Sequence, residues 1–174
     1  MNSTAALKEG HTAQENTLGF DYPNIEKIYG YMRPTLRSES SDHAKALMAK
    51  RDTILKEFRT LSIGLPRQVG KTRWAASKLA DGETCLFFVG HTSTEAYLEP
   101  RVEEFGITPE MAKGVLPYDE LLLMILRNDP FPARFKRVIV DEASYIFNTI
   151  LRRGKFYRWL AEHAPADVEV ILIA

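Results

Sequence analysis

Along this chain the apolar positions change rhythm near residue 59. Before that point they recur at helical spacing. Ile25, Ile28, Tyr29 and Met32 in YPNIEKIYGYMRP predict a short helix stopped by Pro34. Ala44, Leu47, Met48, Ile54, Leu55 and Phe58 form a stripe along SSDHAKALMAKRDTILKEFR, a helix that Ser41 or Asp42 can cap. Residues 1–20 are polar, show no clear period and read as a flexible arm. Beyond residue 59 the apolar residues come in short continuous runs: TLSIGL, TCLFFVG, the VIV of KRVIVDEA, and VEVILIA. Such runs suit strands covered on both faces. GVLP is a candidate for one more short strand.

Helical segments fill the intervals. One begins near TRWAASKLA, and TSTEAYLEPRVEEFG is a whole or broken helix. YDELLLMILRN ends at Asp129-Pro130, and YIFNTILRRGKFYRWLAEHA is helical. Asp81-Gly82 turns the chain into TCLFFVG. Strands that alternate with helices imply a parallel sheet between helical layers. The chain therefore divides into an arm (1–20), a helical lead-in (21–58) and an α/β core (59–174), without internal repeats or low-complexity tracts.

The first chemistry lies between the first strand and its helix, in LPRQVGKTRW. A phosphate loop works because backbone N–H groups at a helix start converge on phosphate oxygens, while a lysine and a Ser/Thr hydroxyl serve the phosphates and Mg²⁺. Here Gly70 allows close backbone approach, Lys71 would reach the β- and γ-phosphates, and Thr72 would ligate the metal. Two departures stand out. Leu65 replaces the glycine that usually opens the loop, and Pro66 removes a possible N–H donor.

A second motif follows about 70 residues later, where RVIVDEAS runs from an apolar strand straight into Asp141 and Glu142. Ligands of open α/β sheets sit at the carboxyl ends of strands. Asp141 is thus expected beside the loop in the Mg²⁺ shell, and Glu142 where it can polarise an attacking water. The competing reading, that Asp-Glu only caps the next helix, weakens when the two motifs are taken together.

PRQVGKT followed by VIVDEA resembles the ATPase domain of phage terminase large subunits, the motors that package viral DNA. More broadly it is similar to the additional-strand, glutamate-using P-loop ATPases, which include superfamily 1 and 2 helicases. The likeness covers roughly residues 58–174; Arg67-Gln68 ahead of Val69-Gly70-Lys71-Thr72 carries the terminase part, and DEA is shared with helicases. In that family the first glycine is commonly absent, so Leu65 is no defect. The resemblance implies a three-layer, RecA-like P-loop NTPase with a mostly parallel sheet, binding ATP with Mg²⁺ through the run Pro66, Arg67, Gln68, Val69, Gly70, Lys71, Thr72 and Arg73. It implies catalytic roles for Lys71 and Glu142, and for Arg67 as a sensor or cis arginine finger. It places a polar loop at His91, Thr92 and Ser93, and makes VEVILIA the strand leading to a coupling motif. The sequence stops at Ala174, so the coupling turn, the last strand or strands, any downstream trans-acting arginine and a nuclease domain are not expected here. The family also implies a phage-encoded protein in the host cytoplasm.

Composition adjusts this picture in a few places. Lys+Arg and Asp+Glu both number 23, so any nucleic-acid partner must be met by a local patch. The candidate patch is Arg152, Arg153, Lys155 and Arg158, interleaved with Phe156, Tyr157 and Trp159 and extended by Arg134, Lys136 and Arg137. The competing reading, an amphipathic helix with its aromatics against the sheet and its arginines in water, is favoured because Phe156, Trp159 and Leu160 share a helical face. The single Cys85 sits in an apolar run and reads as a core thiol, fitting a cytoplasmic protein. No apolar stretch suits a membrane or an export signal. The four histidines do not cluster at zinc spacing, and Trp74 is expected to pack the loop helix on the sheet. Tyr29 and Tyr31 are aromatic candidates for flanking an adenine. Two other functions stay open: a non-hydrolysing module whose sheet is completed by a partner protein, and a small-molecule kinase, although no arginine-rich lid stands out.

Overall fold

A computed structural model describes residues 22–36, 50–66, 69–80, 85–90 and 94–174. The arm at 1–20, the cap at Ser41 or Asp42 with Ala44, Leu47 and Met48, the Asp81-Gly82 turn, and Arg67, Gln68, His91, Thr92 and Ser93 lie outside the described residues.

Among the described residues two helices lead in: α1 (Tyr22–Met32), followed by a 3-10 turn through Pro34, and α2 (Arg51–Phe58). The alternating core then runs β1 (Thr60–Ile63), α3 (Lys71–Ser77), β2 (Cys85–Val89), α4 (Thr94–Phe105), α5 (Pro109–Ala112), β3 (Val115–Pro117), α6 (Tyr118–Arg127), β4 (Arg137–Val140), α7 (Ala143–Tyr145), α8 (Arg153–His163) and β5 (Glu169–Ile173). The five strands form one sheet in the order β1-β5-β4-β2-β3, and every neighbouring pair is parallel.

This order follows from the handedness of crossovers. A right-handed connection places its helix on one face when the chain steps one way across the sheet, and on the other face when it steps back. From β1 to β2 to β3 the chain steps toward the β3 edge, and α3, α4 and α5 cover one face. There Trp74, Ala75, Ala76, Tyr97 and Ile107 pack with Leu61, Ile63, Phe87, Ile139 and Ile171. From β3 to β4 to β5 the direction reverses. Leu121 of α6 and Phe156, Trp159 and Leu160 of α8 then pack the opposite face, with Leu86, Phe88, Val138, Val140 and Val170. The lead-in helices divide likewise: Ile25 and Tyr29 of α1 join the first core, and Leu55 of α2 the second. The result is three layers. Phe87 and Phe88 send consecutive rings into opposite cores, and full burial of each such side chain is worth about 1.5–3 kcal/mol.

Three sequence expectations were refined. GVLP does form a strand, because Gly114 lets it lie tight against β2: a Cβ there would stand 2.3 Å from the Cys85 carbonyl oxygen, while the Gly114 carbonyl accepts the Phe87 N–H at 2.7 Å. Thr94–Phe105 is one unbroken helix despite Pro100. The long helix expected after the acidic pair is broken. A π-turn over Ile146–Ile150 ends in extended backbone at Leu151, which turns Leu151 into the core before α8 begins. Cys85 and Trp74 are buried, as expected. Among the described residues no helix is long and apolar enough to cross a membrane.

Candidate functional site

All five strands are parallel, so their carboxyl ends share one edge of the sheet, and β5 stands between β1 and β4. At that edge opens a cavity of about 940 Å³, lined by the segment after β1 (Leu65, Pro66), the start of α3 (Gly70, Lys71, Thr72, Arg73), Glu142, Ala174 and Arg101. The two sequence motifs meet here.

Gly70 has φ +83°, in the left-handed region that favours glycine, and α3 starts at the next residue. Its carbonyl accepts the Trp74 N–H at 2.8 Å, which locks the first turn. Val69 is buried in the core below, while Pro66 is exposed at the mouth. Lys71 Nζ donates to the Leu65 carbonyl at 2.7 Å and also to the Ala174 carbonyl. The ammonium thus sits on backbone oxygens at the cavity wall. Arg73 reaches across to α4 and pairs with the Glu104 carboxylate.

Asp141 immediately follows β4, its N–H held by the Phe88 carbonyl at 2.9 Å, and its side chain is buried. Thr72 lies near enough to this carboxylate to favour its charged form, and the Glu142 N–H donates to Asp141 Oδ1 at 3.0 Å. Burial pushes the Asp141 pKa above its ordinary value, against the lowering pull of Thr72, the Glu142 amide and the Lys71 charge. Glu142 has φ 52° and ψ 37°, a left-handed conformation that costs a non-glycine residue roughly 1–2 kcal/mol. The turn throws its side chain over Gly90 at the end of β2: a Cβ on Gly90 would lie 2.9 Å from Glu142 Cγ.

Among the described residues no group of three or more His, Cys, Asp or Glu side chains could hold a metal by itself. What the site offers is a pair of hard oxygens, the Thr72 hydroxyl and the Asp141 carboxylate, brought to the same end of the sheet. Mg²⁺ commonly takes one or two protein oxygens and completes its shell with water and phosphate, so this donor set fits it.

Several expected residues fall elsewhere. Arg152, Arg153, Lys155 and Arg158 are exposed on α8, but Phe156, Tyr157 and Trp159 between them are buried, with the Trp159 Nε1–H donating to the Asp129 carbonyl at 2.8 Å. No ring of that helix is left to stack on a base, and none of its cations lines the cavity. The proposed extension fails as well. Arg137 is buried against Glu169, and Arg134 pairs with Glu110 at 3.2 Å. Tyr29 is no adenine clamp: it is buried and donates to Glu169 Oε1 at 2.8 Å, at the amino end of β5 and thus opposite the cavity. Tyr31 is 83% exposed to solvent.

Two residues of the site carried no motif. Gly90 gives Glu142 its room, and Arg101 brings a cation from α4. The Tyr97/Arg101 pair at i,i+4 was the available signal for the second. The chain matches no protein-family model and no curated protein.

Proposed function

We propose that this chain is a Mg²⁺-dependent P-loop domain that binds and hydrolyses ATP, terminase-like or helicase-like in type, and phage-encoded. The observation that carries the reading is the one cavity that both motifs line, with Gly70, Lys71 and Thr72 from the loop and Glu142 from the segment after β4. A lysine and a threonine at a helix start, lining one cavity with a carboxylate, are the groups that a phosphate with Mg²⁺ requires. The strand between β1 and β4 also agrees with the additional-strand class that the sequence resembles.

In this reading the Lys71 ammonium exchanges its carbonyl partners for phosphate oxygens, joined by loop amides near Gly70. Thr72 and Asp141 would hold Mg²⁺, which when bound offsets charge on the phosphates. Glu142 accepts a hydrogen bond from the attacking water and orients it. Arg67 is assigned to transition-state charge on the strength of the resemblance alone. The output is work on DNA or a DNA-bound partner, with the exposed cations of α8 serving backbone phosphates rather than bases.

Two observations favour a second reading, a nucleotide- or protein-binding module without turnover. Lys71 already has two backbone partners, and among the described residues no strand pairs with the outer edge of β1. ATP turnover of wild type, Lys71→Ala and Glu142→Gln, with and without DNA, separates the two. DNA-stimulated turnover lost in both variants supports the hydrolase. Tight ATP binding without turnover supports the module, and no nucleotide binding at all would mean that both motifs are relics.

A further inference from the structure

The cavity receives a cation from outside the phosphate loop. Arg101 lies on α4, and its guanidinium carbon stands 4.3 Å from the centroid of the Tyr97 ring, one turn earlier on the same helix. Arg101 Nη1 also donates to the Tyr97 carbonyl. Tyr97 is buried edge-on against Phe87, with ring centroids 5.4 Å apart, and its hydroxyl donates to the Thr72 carbonyl at 2.9 Å. The guanidinium therefore rests on a ring anchored to the first turn of α3, the turn that supplies Thr72.

Charge and geometry suggest what this arrangement is for. Among the described residues, the partners of Arg101 are a ring face and a carbonyl, and neither neutralises it. Arg73, the other arginine of the cavity, is paired with Glu104. Arg101 thus lines the same cavity as Lys71 and Thr72, on a ring tied to the first turn of α3. A guanidinium fork stacked on a ring presents paired N–H groups to phosphate oxygens, which a lysine in its place would not do.

We propose that Arg101, stacked on Tyr97, contacts the terminal phosphate of a bound nucleoside triphosphate and sets the preference for triphosphate over diphosphate. This inference rests on the ATP-site reading above. It adds a recognition residue from a second element, so that loss of the terminal phosphate would be felt by α4 as well as by the loop.

The test measures binding of fluorescent ATP and ADP analogues, with Mg²⁺, to wild type, Arg101→Ala, Arg101→Lys and Lys71→Ala. Melting curves without nucleotide check folding. Arg101→Ala is expected to weaken ATP roughly 10- to 100-fold while ADP changes by less than about twofold, the scale of a charged hydrogen bond. Arg101→Lys should restore only part of the discrimination. If ATP and ADP weaken equally in Arg101→Ala, or neither changes, Arg101 does not read the terminal phosphate and the inference is wrong, while the site reading stands. Should Arg101→Ala fail to fold, Arg101→Lys decides: wild-type discrimination in it would overturn the inference. Wild type that binds neither nucleotide, with Lys71→Ala indistinguishable from it, would remove the site and the inference together.

Discussion

Arg137 and Glu169 open the neighbouring strands β4 and β5 in register, and their side chains meet at 3.1 Å, with Tyr29 hydrogen-bonded to both. At the carboxyl end of β4 stands Asp141, equally buried. Its carboxylate accepts from the Glu142 amide, and the ammonium of Lys71 is spent on backbone carbonyls. At the amino end a buried anion has a buried cation against it. At the carboxyl end the buried anion has a raised pKa, and the next residue holds a strained left-handed turn. The difference separates a buried charge matched by its opposite from one that is not, and unbalanced charge with backbone strain is commonest at functional sites.

Four measurements would break or sharpen that contrast. The largest effect belongs to the amino end. Glu169→Ala leaves Arg137 buried without its carboxylate, which typically costs about 3–5 kcal/mol, so thermal unfolding should drop by roughly 10 °C or more. A drop of only a degree or two would mean the network is as dispensable as a surface ion pair. Next comes Glu142→Gln at the other end. Turnover should fall about 100-fold or more, while the melting temperature stays within a few degrees. A collapse of stability would put Glu142 in the structural class instead.

Gly90→Ala should have a smaller effect of the same kind, since its methyl meets Glu142 Cγ and displaces the carboxylate without touching Lys71 or Thr72. A roughly tenfold fall in turnover with ATP affinity nearly unchanged is expected, and equal losses in both would argue against displacement. Smallest is a pair of stability changes with opposite signs. Asp141→Asn should raise the melting temperature of the metal-free protein at neutral pH by a few degrees, because ionising this carboxylate works against folding.

Glu26 is the counter-case. Burial alone would raise its pKa, but hydrogen bonds from Lys78 and Trp74 hold it below the ordinary value. Its contribution is therefore present above its unfolded pKa, near 4.3, and is lost as pH falls through the lower folded value. Glu26→Gln should cost less than about 1 kcal/mol at pH 7, given its exposure, and nothing in acid below the folded pKa. A gap that persists there would rule out ionisation as its source.

Much of the fold was legible because its signals are local. Continuous apolar runs marked β2, β4 and β5, and even the short GVLP strand could be suspected. The aromatics of α8 showed their buried face through spacing alone, which correctly argued against base stacking. The approach of Thr72 to Asp141 was inferred because carboxyl ends of parallel strands must share an edge. Tyr29 was misjudged for the complementary reason: an isolated aromatic carries no information about which end of the sheet its helix will reach. The break at Leu151 was missed because a π-turn keeps a helical pattern of apolar residues while changing the direction of the chain.

By itself, then, the sequence determined the alternation of strands and helices, which residues face inward, and the two chemical motifs, since each depends on neighbours within a turn or two. Tertiary structure alone decided that β5 stands between β1 and β4, that Gly90 clears a place for Glu142, and that Arg101 enters the cavity on Tyr97. Those choices come from crossover handedness and the packing of segments far apart in the chain, and no short stretch of sequence records such contacts.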